Sequence, residues 1–527
     1  MSRKNKRQVQ TKEEYININT RKCIGCTACA INCTDITAIS VLKAINNGKR
    51  TVTPKKNTFK NTGCIYCGQC TLICPTSAIN VRSDVAKVKE ALNSGKFLVL
   101  TAAPSLKATL GEEFGLSIGT DVEGKVQASA RKLGFQKVYD TDFAADMTVV
   151  EESTELIKRL GLKENLPMFT SCCPSWVRWA ELFKPDILKN LSTCKSPQQM
   201  MGATIKTYLA EKLKILPENI YTVSLKPCTS KKYEGEREEM GRDGYKDIDA
   251  VLTVREYAEL LKEKGIDINA LPAEKSDPII GDYTGAGVIF GASGGVMAAT
   301  LRNVAYYLKS DISAIDDIKF NNIYGTETAK EAMVNIGNYN LRVAVISTTS
   351  EVERFFKTED WKKYDFIEVM SCPGGCINGG GTPKIIKKAD VDEKKCIACG
   401  TCIENCPVGA IEFNVRGFAE VFKDKCVGCT LCSKICRTKA IKINMYNRGS
   451  NIPIDKSYVE LRTQVLKHID KKSKIKVSAE NPELQEMYKS YIGEPDGEKA
   501  TKLFHTTYTD RSSELVTTRH RKIKKKK

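Results

Sequence analysis

Four segments of the chain share one cysteine spacing, C-x2-C-x2-C-x3-C, and this repeat restricts the possible folds more than any other feature. The segments begin at Cys23, Cys64, Cys396 and Cys426, and each runs soon afterwards into Ala-Ile. Three closely spaced thiolates can bind one cubane, while the fourth is directed towards a neighbouring cluster. The spacing therefore predicts two pairs of 4Fe-4S clusters, one near the N-terminus and one in the last third of the chain.

Each run of three cysteines, combined with the fourth cysteine of its partner segment, forms one ligand set. The predicted sets are Cys23, Cys26, Cys29 and Cys74; Cys64, Cys67, Cys70 and Cys33; Cys396, Cys399, Cys402 and Cys436; and Cys426, Cys429, Cys432 and Cys406. Zinc is the alternative metal, but it prefers two well-separated C-x2-C pairs. The segments resemble bacterial two-cluster ferredoxin domains. The first pair has a long Lys- and Asn-rich spacer, residues 40–61, which predicts an exposed hairpin.

The composition agrees with thiolate chemistry in a reducing compartment. The 527 residues include 22 cysteines, which are too dilute for a disulfide scaffold, and only three histidines, which argues against imidazole-based metal sites. Residues 1–22 are basic but lack the apolar segment of an export signal, and no apolar run is long enough for a membrane helix. We therefore expect a cytoplasmic protein without a transmembrane segment.

The net charge of +19 is concentrated at the two ends of the chain. The last nine residues contain seven cations, but no aromatic or amphipathic pattern accompanies them. Because a nucleic-acid site usually combines cations with stacking side chains, we expect a disordered tail and no nucleic-acid partner.

Between the two cysteine-rich blocks, apolar runs alternate with amphipathic stretches, a pattern typical of buried parallel strands in an α/β fold. The predicted strands are residues 96–103, 166–171, 220–225, 342–347 and 366–371. Three of these strands are followed within three residues by a cysteine, and ligands bind beyond the carboxyl ends of parallel strands. Cys173, Cys228, Cys372 and Cys376 can therefore converge on one site. The alternative is that free cysteines only fill core space.

Three segments around these cysteines resemble the signature segments of FeFe hydrogenases. They are TSCCPSW at 170–176, KPCTSKKYEGE at 226–236 and EVMSCPGGCINGGG at 368–381. The segments SAENPELQEMYKSYIGEP and LFHTTY resemble the C-terminal belt of the same family. The resemblance implies an α/β catalytic domain of two lobes with parallel sheets around a central cofactor cleft. Two α+β bacterial ferredoxin-like domains accompany it.

The resemblance also divides the chain into six parts, with the second ferredoxin-like domain inserted before the belt. The parts are a basic N-terminal tail (1–18), a two-cluster ferredoxin-like domain (19–86), a catalytic domain (95–384), a second ferredoxin-like domain (385–445), a belt (446–512) and a basic disordered tail (513–527).

Carried over from the family, Cys173, Cys228, Cys372 and Cys376 would bind the 4Fe-4S cubane of an H-cluster. Cys376 would also bridge to a two-iron unit with carbonyl, cyanide and dithiolate ligands. The resemblance implies further cofactor contacts from Lys231, Ser105, Met370 and Pro104. Glycine lets backbone approach a bulky group closely, so Gly374, Gly375 and residues 379–381 are expected to face the cofactor.

A proton route is implied as well, beginning at the thiol of Cys172 and continuing through Glu152, Ser192, Glu155 and Arg159. Glu152, Glu155 and Arg159 share one face of a predicted helix. By pattern alone, an ordinary solvated face is the better interpretation. The resemblance reverses this preference, since carboxyl, hydroxyl and thiol groups can each accept and release a proton.

Three residues do not fit the family pattern or have no role in it. Lys226 stands where the family commonly has Met, and Thr382 follows the glycine run where Gln is common. A cation that points into the di-iron pocket could alter hydrogen bonding and redox potential. We expect Cys194 to be a buried structural thiol.

The function implied by the resemblance is that of an FeFe hydrogenase, which interconverts protons, electrons and dihydrogen. Electrons would pass through the four accessory clusters from a ferredoxin or a similar small redox protein. The segment GAGVIFG at 285–291 departs from the dinucleotide-binding pattern, so protein partners are the expected electron source. The alternatives are a hydrogen sensor, an iron-sulfur assembly factor, or a subunit of a larger complex with further redox subunits, for example a hydrogen-dependent carbon dioxide reductase.

Overall fold

The computed structural model describes residues 14–46, 48, 50–56 and 58–516. Residues 1–13 and 517–527, which make up most of the two predicted tails, lie outside this range. Among the described residues, none of the helices combines the length and apolar composition that a bilayer crossing requires.

The first cysteine-rich block is built from short strands and helices between the cysteine segments. Its elements are β1 (Ile16–Ile18), α1 (Ala28–Thr37), β2 (Leu42–Asn46), β3 (Arg50–Pro54), α2 (Gln69–Ile73) and β4 (Ile79–Val81). The predicted hairpin is formed by β2 and β3, which pair antiparallel. Strand β1 pairs antiparallel with β4, so Ile16 lies opposite Val81. The predicted tail 1–18 is therefore too long, because its last residues complete the sheet of this block.

The region between the two blocks carries most of the regular structure. Its elements are α3 (Val85–Leu92), β5 (Phe97–Ala102), α4 (Leu106–Thr109), α5 (Lys125–Leu133), β6 (Lys137–Asp140), α6 (Asp142–Leu162), β7 (Met168–Phe169), α7 (Pro174–Phe183), α8 (Pro197–Thr204), α9 (Ala210–Leu213), β8 (Ile220–Lys226), α10 (Ser230–Glu234), β9 (Ala250–Thr253), α11 (Val254–Glu263), α12 (Gly285–Ile289), α13 (Gly295–Tyr307), α14 (Ser313–Asp316), β10 (Asn321–Asn322), β11 (Ala329–Ile336), β12 (Tyr339–Ser347), α15 (Thr349–Phe355) and β13 (Phe366–Met370).

Two sheets organise this region. The first has the order β6-β5-β8-β9 and is parallel throughout. The second has the order β10-β11-β12-β13-β7, and only β12, β13 and β7 run parallel. The three strands predicted here therefore run parallel as expected, but β10 and β11, which were not predicted, make the sheet mixed. A tight turn after Ile336 returns the chain directly to Tyr339, so β11 and β12 form an antiparallel hairpin.

Helix α6 connects the two sheets because apolar side chains near its two ends pack on different cores. Phe143 and Met147 lie in the core of the first sheet with Val99. Leu156 and Leu160 pack in the core of the second sheet with Met168 and Phe366. The part of α6 between these contacts carries Glu152 and is buried. A polar side chain there is held between the two sheets, away from bulk water.

The second cysteine-rich block and the C-terminal segment complete the chain. Their elements are β14 (Ile386–Val391), α16 (Thr401–Glu404), β15 (Ile411–Phe413), β16 (Ala419–Val421), α17 (Leu431–Ile435), β17 (Ile441–Tyr446), β18 (Pro453–Ile454), α18 (Tyr458–Lys472), α19 (Pro482–Met487), α20 (Glu498–Phe504) and α21 (Ser513–Val516). Helix α21 contradicts the predicted start of the disordered tail at 513. Glu514 forms an ion pair of 2.9 Å with Arg178, and this contact holds the helix against α7.

Candidate active site

Five cysteines from separate parts of the chain border one cavity at the carboxyl ends of the strands. Cys172 and Cys173 follow β7, Cys228 follows β8, and Cys372 follows β13, with Cys376 in the turn after it. Strands β7 and β13 belong to the second sheet and β8 to the first. The site is therefore assembled where the ends of both sheets meet.

The local structure around each thiol explains its position. Pro174 begins α7 directly after Cys173, since proline suits the first turn of a helix. The Cys173 thiol lies 3.5 Å from the Ser371 hydroxyl. The Cys228 thiol lies 3.1 Å from the Ser230 hydroxyl, which accepts a hydrogen bond of 2.8 Å from Ser175. These hydroxyls connect the three strand ends.

The electrostatics of the cavity favour occupation by a soft, positively charged group. Burial, followed by the neighbouring Cys228 and Cys173, raises the pKa of Cys376 to about 12. Burial and Cys173 likewise raise the pKa of Cys228. Thiols that border one cavity and oppose each other's ionisation need a cation to become thiolates, and iron-sulfur clusters are held by thiolates. The donor set therefore fits an iron-sulfur cluster.

The four residues predicted to contact the cofactor, namely Pro104, Ser105, Lys231 and Met370, all line this cavity. The Ser105 hydroxyl oxygen is buried and has no hydrogen-bond partner in the described structure. A buried donor without a partner is costly, so its position suits a polar ligand in the cavity. Lys231 donates to the Cys172 carbonyl at 3.0 Å and to Glu234 at 2.9 Å. Its ammonium group is thereby held beside the cavity.

Lys226 points inward, which settles the orientation that the sequence left open. Its side chain is buried, lines the cavity and donates a hydrogen bond to the Thr141 hydroxyl. Burial, together with the nearby Lys231, lowers the pKa of Lys226 to about 7. Thr382 has a structural contact instead, since its hydroxyl donates to the Gly379 carbonyl at 2.9 Å.

Gly375 and Gly379 line the cavity as expected, and the glycines after Cys376 also allow close backbone contacts elsewhere. A Cβ at Gly380 would lie 2.3 Å from the Cys67 carbonyl oxygen, and a Cβ at Gly379 would lie 2.4 Å from the Pro227 carbonyl oxygen. Both contacts are with protein backbone, so at these positions the close approach is to the first cysteine-rich block and to the loop after β8. Gly375 has a φ of 94°, a conformation that favours glycine.

The predicted proton-route residues are buried together beside the cavity. Burial, followed by the neighbouring Glu155, raises the pKa of Glu152 to about 8, and Ser192 lies within hydrogen-bonding reach of this carboxyl. Ser192 donates to Glu155 at 3.0 Å. Burial and the nearby Glu152 also raise the pKa of the Cys172 thiol. These groups form a series of side chains that can accept and release protons, and the series starts at the cavity.

The far end of this series of side chains, at Glu155 and Arg159, reaches the surface. Arg159 pairs with Glu155 at 2.6 Å, and both border an open cleft of about 680 Å³.

Cys194 is fully buried as predicted, but its thiol lies 3.8 Å from the Glu155 carboxylate. The alternative of a solvated helix face does not apply to Glu152 and Glu155, because both side chains are buried.

Sequence reasoning missed several residues that support the site. Glu234 holds Lys231, and its spacing of three residues on a helix could have revealed it. His505 binds the Thr193 hydroxyl at 2.7 Å and the Glu151 carboxylate at 3.1 Å, next to the surface cleft. No local pattern predicts that contact, since His505 and Glu151 are 354 residues apart.

The sixteen remaining cluster cysteines also gather in sets. Cys23, Cys26, Cys29 and Cys74 line one small cavity, and Cys396, Cys399, Cys402 and Cys436 line another. In the other two sets, the thiols of Cys64, Cys67 and Cys70 lie within electrostatic reach of Cys33, and that of Cys432 within reach of Cys426 and Cys406. Each predicted set is brought together in space.

Comparison with known proteins decides the family. The model of the iron only hydrogenase large subunit, C-terminal domain, matches residues 96–380, more than half of the chain. The chain belongs to the FeFe hydrogenase family. The iron hydrogenase small subunit model matches residues 456–511 of this hydrogenase, and 4Fe-4S dicluster domain models match residues 6–78 and 389–443.

Similar proteins agree with this assignment. Iron hydrogenase 1 of Clostridium pasteurianum is 42% identical over 392 residues, which cover 73% of this chain and 68% of that protein. The NADP-reducing hydrogenase subunit HndD of Solidesulfovibrio fructosivorans is 35% identical over 500 residues, covering 93% and 74%. A solved variant of the FeFe hydrogenase HydA1 from Chlamydomonas reinhardtii superposes with a TM-score of 0.60 at 29% identity, covering 80% of this chain and 98% of that one.

The predicted enzyme class and cofactors are thereby confirmed. This hydrogenase interconverts protons, electrons and dihydrogen at an H-cluster, and its dicluster domains carry 4Fe-4S clusters. Its catalytic domain has the fold of solved FeFe hydrogenases.

Proposed function

We propose that this hydrogenase holds the cubane of its H-cluster on Cys173, Cys228, Cys372 and Cys376, with Cys376 also bridging to the di-iron unit. One observation carries the proposal: thiols from the ends of two separate sheets border a single cavity that also contains an unpartnered buried hydroxyl. When bound, the di-iron unit supplies the iron at which dihydrogen is formed or split. The two sheets would then form the two lobes on either side of a central cleft.

The cavity lining would orient this group. Lys231 and Ser105 would donate hydrogen bonds, and Met370 and Pro104 would supply apolar contact that excludes water. Burial lowers the pKa of Lys231, but Glu234 and the neighbouring thiols together raise it above its ordinary value, so the ammonium group stays charged. Exclusion of water strengthens the hydrogen bonds from Lys231 and Ser105, because electrostatic interactions are stronger in a medium of low dielectric constant.

Protons would move between the cavity and the cleft at Arg159 through Cys172, Glu152, Ser192 and Glu155. Glu152 is suited to this step because a carboxyl with a pKa of about 8 can both hold and release a proton near neutral pH. Ser192 connects the two carboxyls, since its hydroxyl can accept a proton from one and donate to the other.

The remaining domains would serve electron transfer. We assign four accessory clusters to the sixteen predicted ligands, with ferredoxin-like domains at about 14–86 and 385–445, the catalytic domain at 95–384 and the belt at 446–512. A cytoplasmic ferredoxin is the proposed partner, because the basic ends of the chain complement an acidic redox protein. A second candidate is the hydrogenase subunit of a larger NADP-reducing complex. It is supported by the match of 93% of this chain to HndD.

The proton route has a direct test. After cluster reconstitution and addition of the di-iron unit, Cys172→Ala should lower dihydrogen production from reduced methyl viologen at least about 100-fold, because the first proton carrier is lost. Met333→Ala is the control, since Met333 is 57% exposed on β11 and does not belong to the route. Robust activity of the Cys172→Ala variant would refute the proposed route.

The pH dependence tests Glu152. Its carboxyl is protonated below about pH 8. Dihydrogen production should therefore fall as the pH rises through 8, because the protonated donor is lost. Glu152→Gln should lose at least about 100-fold in activity, whereas Glu152→Asp should retain more. An unchanged pH profile in Glu152→Gln would show that another group is responsible for the decline.

A further inference from the structure

The two ferredoxin-like blocks touch through residues that belong to the predicted cluster ligands. Cys26 of the first block and Cys429 of the second lie in one buried cluster with Ala28. Ile24, Ile73 and Leu431 pack around them. The thiols of Cys26 and Cys429 are within hydrogen-bonding reach of each other. We call this group of six residues the junction.

A cleft beside the junction supports the same arrangement. It has a volume of about 470 Å³ and is bordered by Cys74 of the first block and Cys426 of the second. Lys384, which precedes the second block, donates to the Cys74 carbonyl at 2.7 Å. The ligand set that begins at Cys23 in the first block therefore faces the set that begins at Cys426 in the second block.

The first block also contacts the loops that follow Cys228 and Cys376 of the catalytic cavity. Gln69 donates to the Asn378 carbonyl at 2.7 Å, and Thr229 donates to the Tyr66 carbonyl at 2.6 Å. The Cys67 thiol lies within electrostatic reach of Cys228 and Cys372. The cluster set that contains Cys67 is therefore the one beside the H-cluster ligands.

Neighbouring thiols connect all four sets into one series. We call the ligand set that begins at Cys396 the outermost set. Its Cys402 lies within electrostatic reach of Cys432, which belongs to the set that begins at Cys426. Cys429 of that set contacts Cys26, and Cys29 lies within reach of Cys70. At the far end of the series, Cys399 is exposed, and it is the only exposed cysteine of the 22, all of which lie in the described residues.

We propose that the second ferredoxin-like block is connected in series with the first through the contact between Cys26 and Cys429, and that electrons from a protein donor enter at the outermost set, beside Cys399. This inference rests on the proposed ligand sets. Two reduced ferredoxins each lose one electron, the electrons pass the four clusters in order, and together with two protons they form one dihydrogen. The inserted block is therefore an extension of a single path and not a second exit from the catalytic site.

Removing the cluster on the second-block side of the junction tests the series. In the full matured enzyme, Cys426→Ala with Cys432→Ala should lower ferredoxin-driven dihydrogen production at least about tenfold, because the path is cut. Exchange between D₂ and water protons needs no net electrons from the clusters and should stay unchanged. If ferredoxin-driven production stays within about twofold of wild type, the series is wrong. If the matured wild-type enzyme itself showed no D₂ exchange, the proposed catalytic site would be contradicted instead of the series.

Electron paramagnetic resonance provides a readout that does not depend on turnover. In reduced enzyme without the di-iron unit, magnetic interaction should broaden the signal of the cluster on Cys23, Cys26 and Cys29. The Cys426→Ala, Cys432→Ala variant should sharpen that signal. Removal of the outermost cluster by Cys396→Ala with Cys402→Ala should change it less. An identical signal in all three proteins would overturn the contact.

A further variant keeps all sixteen ligands, in case ligand removal unfolds the second block. Ala28→Phe adds volume inside the junction, where Ala28 is buried, and should separate the two blocks. Its iron content should match wild type, while ferredoxin-driven production falls and the magnetic broadening decreases. Met333→Phe is the matched control, because Met333 is 57% exposed on β11. Equal behaviour of the two variants, with full iron content, would contradict the role of the junction.

Discussion

The two ferredoxin-like blocks have the same cysteine spacing but differ in burial. In the first block, seven of the eight cluster cysteines are buried. In the second block, only Cys402 and Cys429 are buried, and Cys399 is exposed. Exposed apolar side chains are also common in the second block, as at Ile397, Phe413 and Val415.

The comparison indicates that cysteine spacing determines which residues form a ligand set. The packing of the block against the rest of the chain determines where that set lies in the electron path. The first block contacts both the catalytic region and the second block. The second block has a free outer face that carries Cys399. Similar motifs can therefore form an inner pair and an outer pair of clusters.

The largest expected effect comes from comparing loss of the innermost cluster with loss of the outermost. Cys67→Ala with Cys70→Ala should lower methyl viologen-driven production at least about 1000-fold, because Cys67 lies within electrostatic reach of Cys228 and loss of its cluster cuts the path beside the catalytic site. Cys396→Ala with Cys402→Ala should cost less than about threefold in the same assay, because a small donor can reduce other clusters. Iron content and D₂ exchange serve as controls. Equal losses in the two variants would break the distinction between inner and outer pairs.

A smaller difference should appear in stability towards chelators. The outermost cluster should lose iron about ten times faster than the clusters of the first block, because solvent reaches Cys399. The measurement is a time course of paramagnetic resonance signals after addition of a chelator to reduced enzyme. Faster loss from the first block would contradict the burial pattern.

The smallest effect concerns docking of the donor. Arg437 is exposed and lies within electrostatic reach of Cys399. Arg437→Glu should raise the KM for an acidic ferredoxin about threefold at low salt, because a steering charge is reversed, and added salt should reduce the difference. Lys319→Glu is the control, since Lys319 is exposed on the catalytic region. No change in KM would place the docking surface elsewhere.

The chemistry of the site could be predicted from sequence because its donors are concentrated in short motifs. Cys172 and Cys173 are adjacent, and Cys372 and Cys376 lie within one turn. The helical spacing of Glu155 and Arg159 placed them on one helix face, and in the structure they form an ion pair there. The spacer after Ser40 was correctly interpreted as a hairpin because of its polar composition.

Other features depend on contacts between distant segments and could not be predicted. The burial of Glu152 requires two sheets to close over α6, and sequence periodicity describes only one helix at a time. Gly380 is required by the approach of the Cys67 backbone, more than 300 residues away. The contact of Cys26 with Cys429 likewise has no local signal, because each motif specifies only its own cluster.

The central claim is that Cys173, Cys228, Cys372 and Cys376 hold an H-cluster in the cavity between the two sheets. Infrared spectroscopy of the fully matured enzyme tests it most directly, because carbonyl and cyanide on iron absorb where protein does not. We predict such bands in the wild-type enzyme and their loss in Cys376→Ala, with the accessory clusters retained in both. Absence of the bands from matured wild-type enzyme, or their persistence unchanged in Cys376→Ala, would contradict the account.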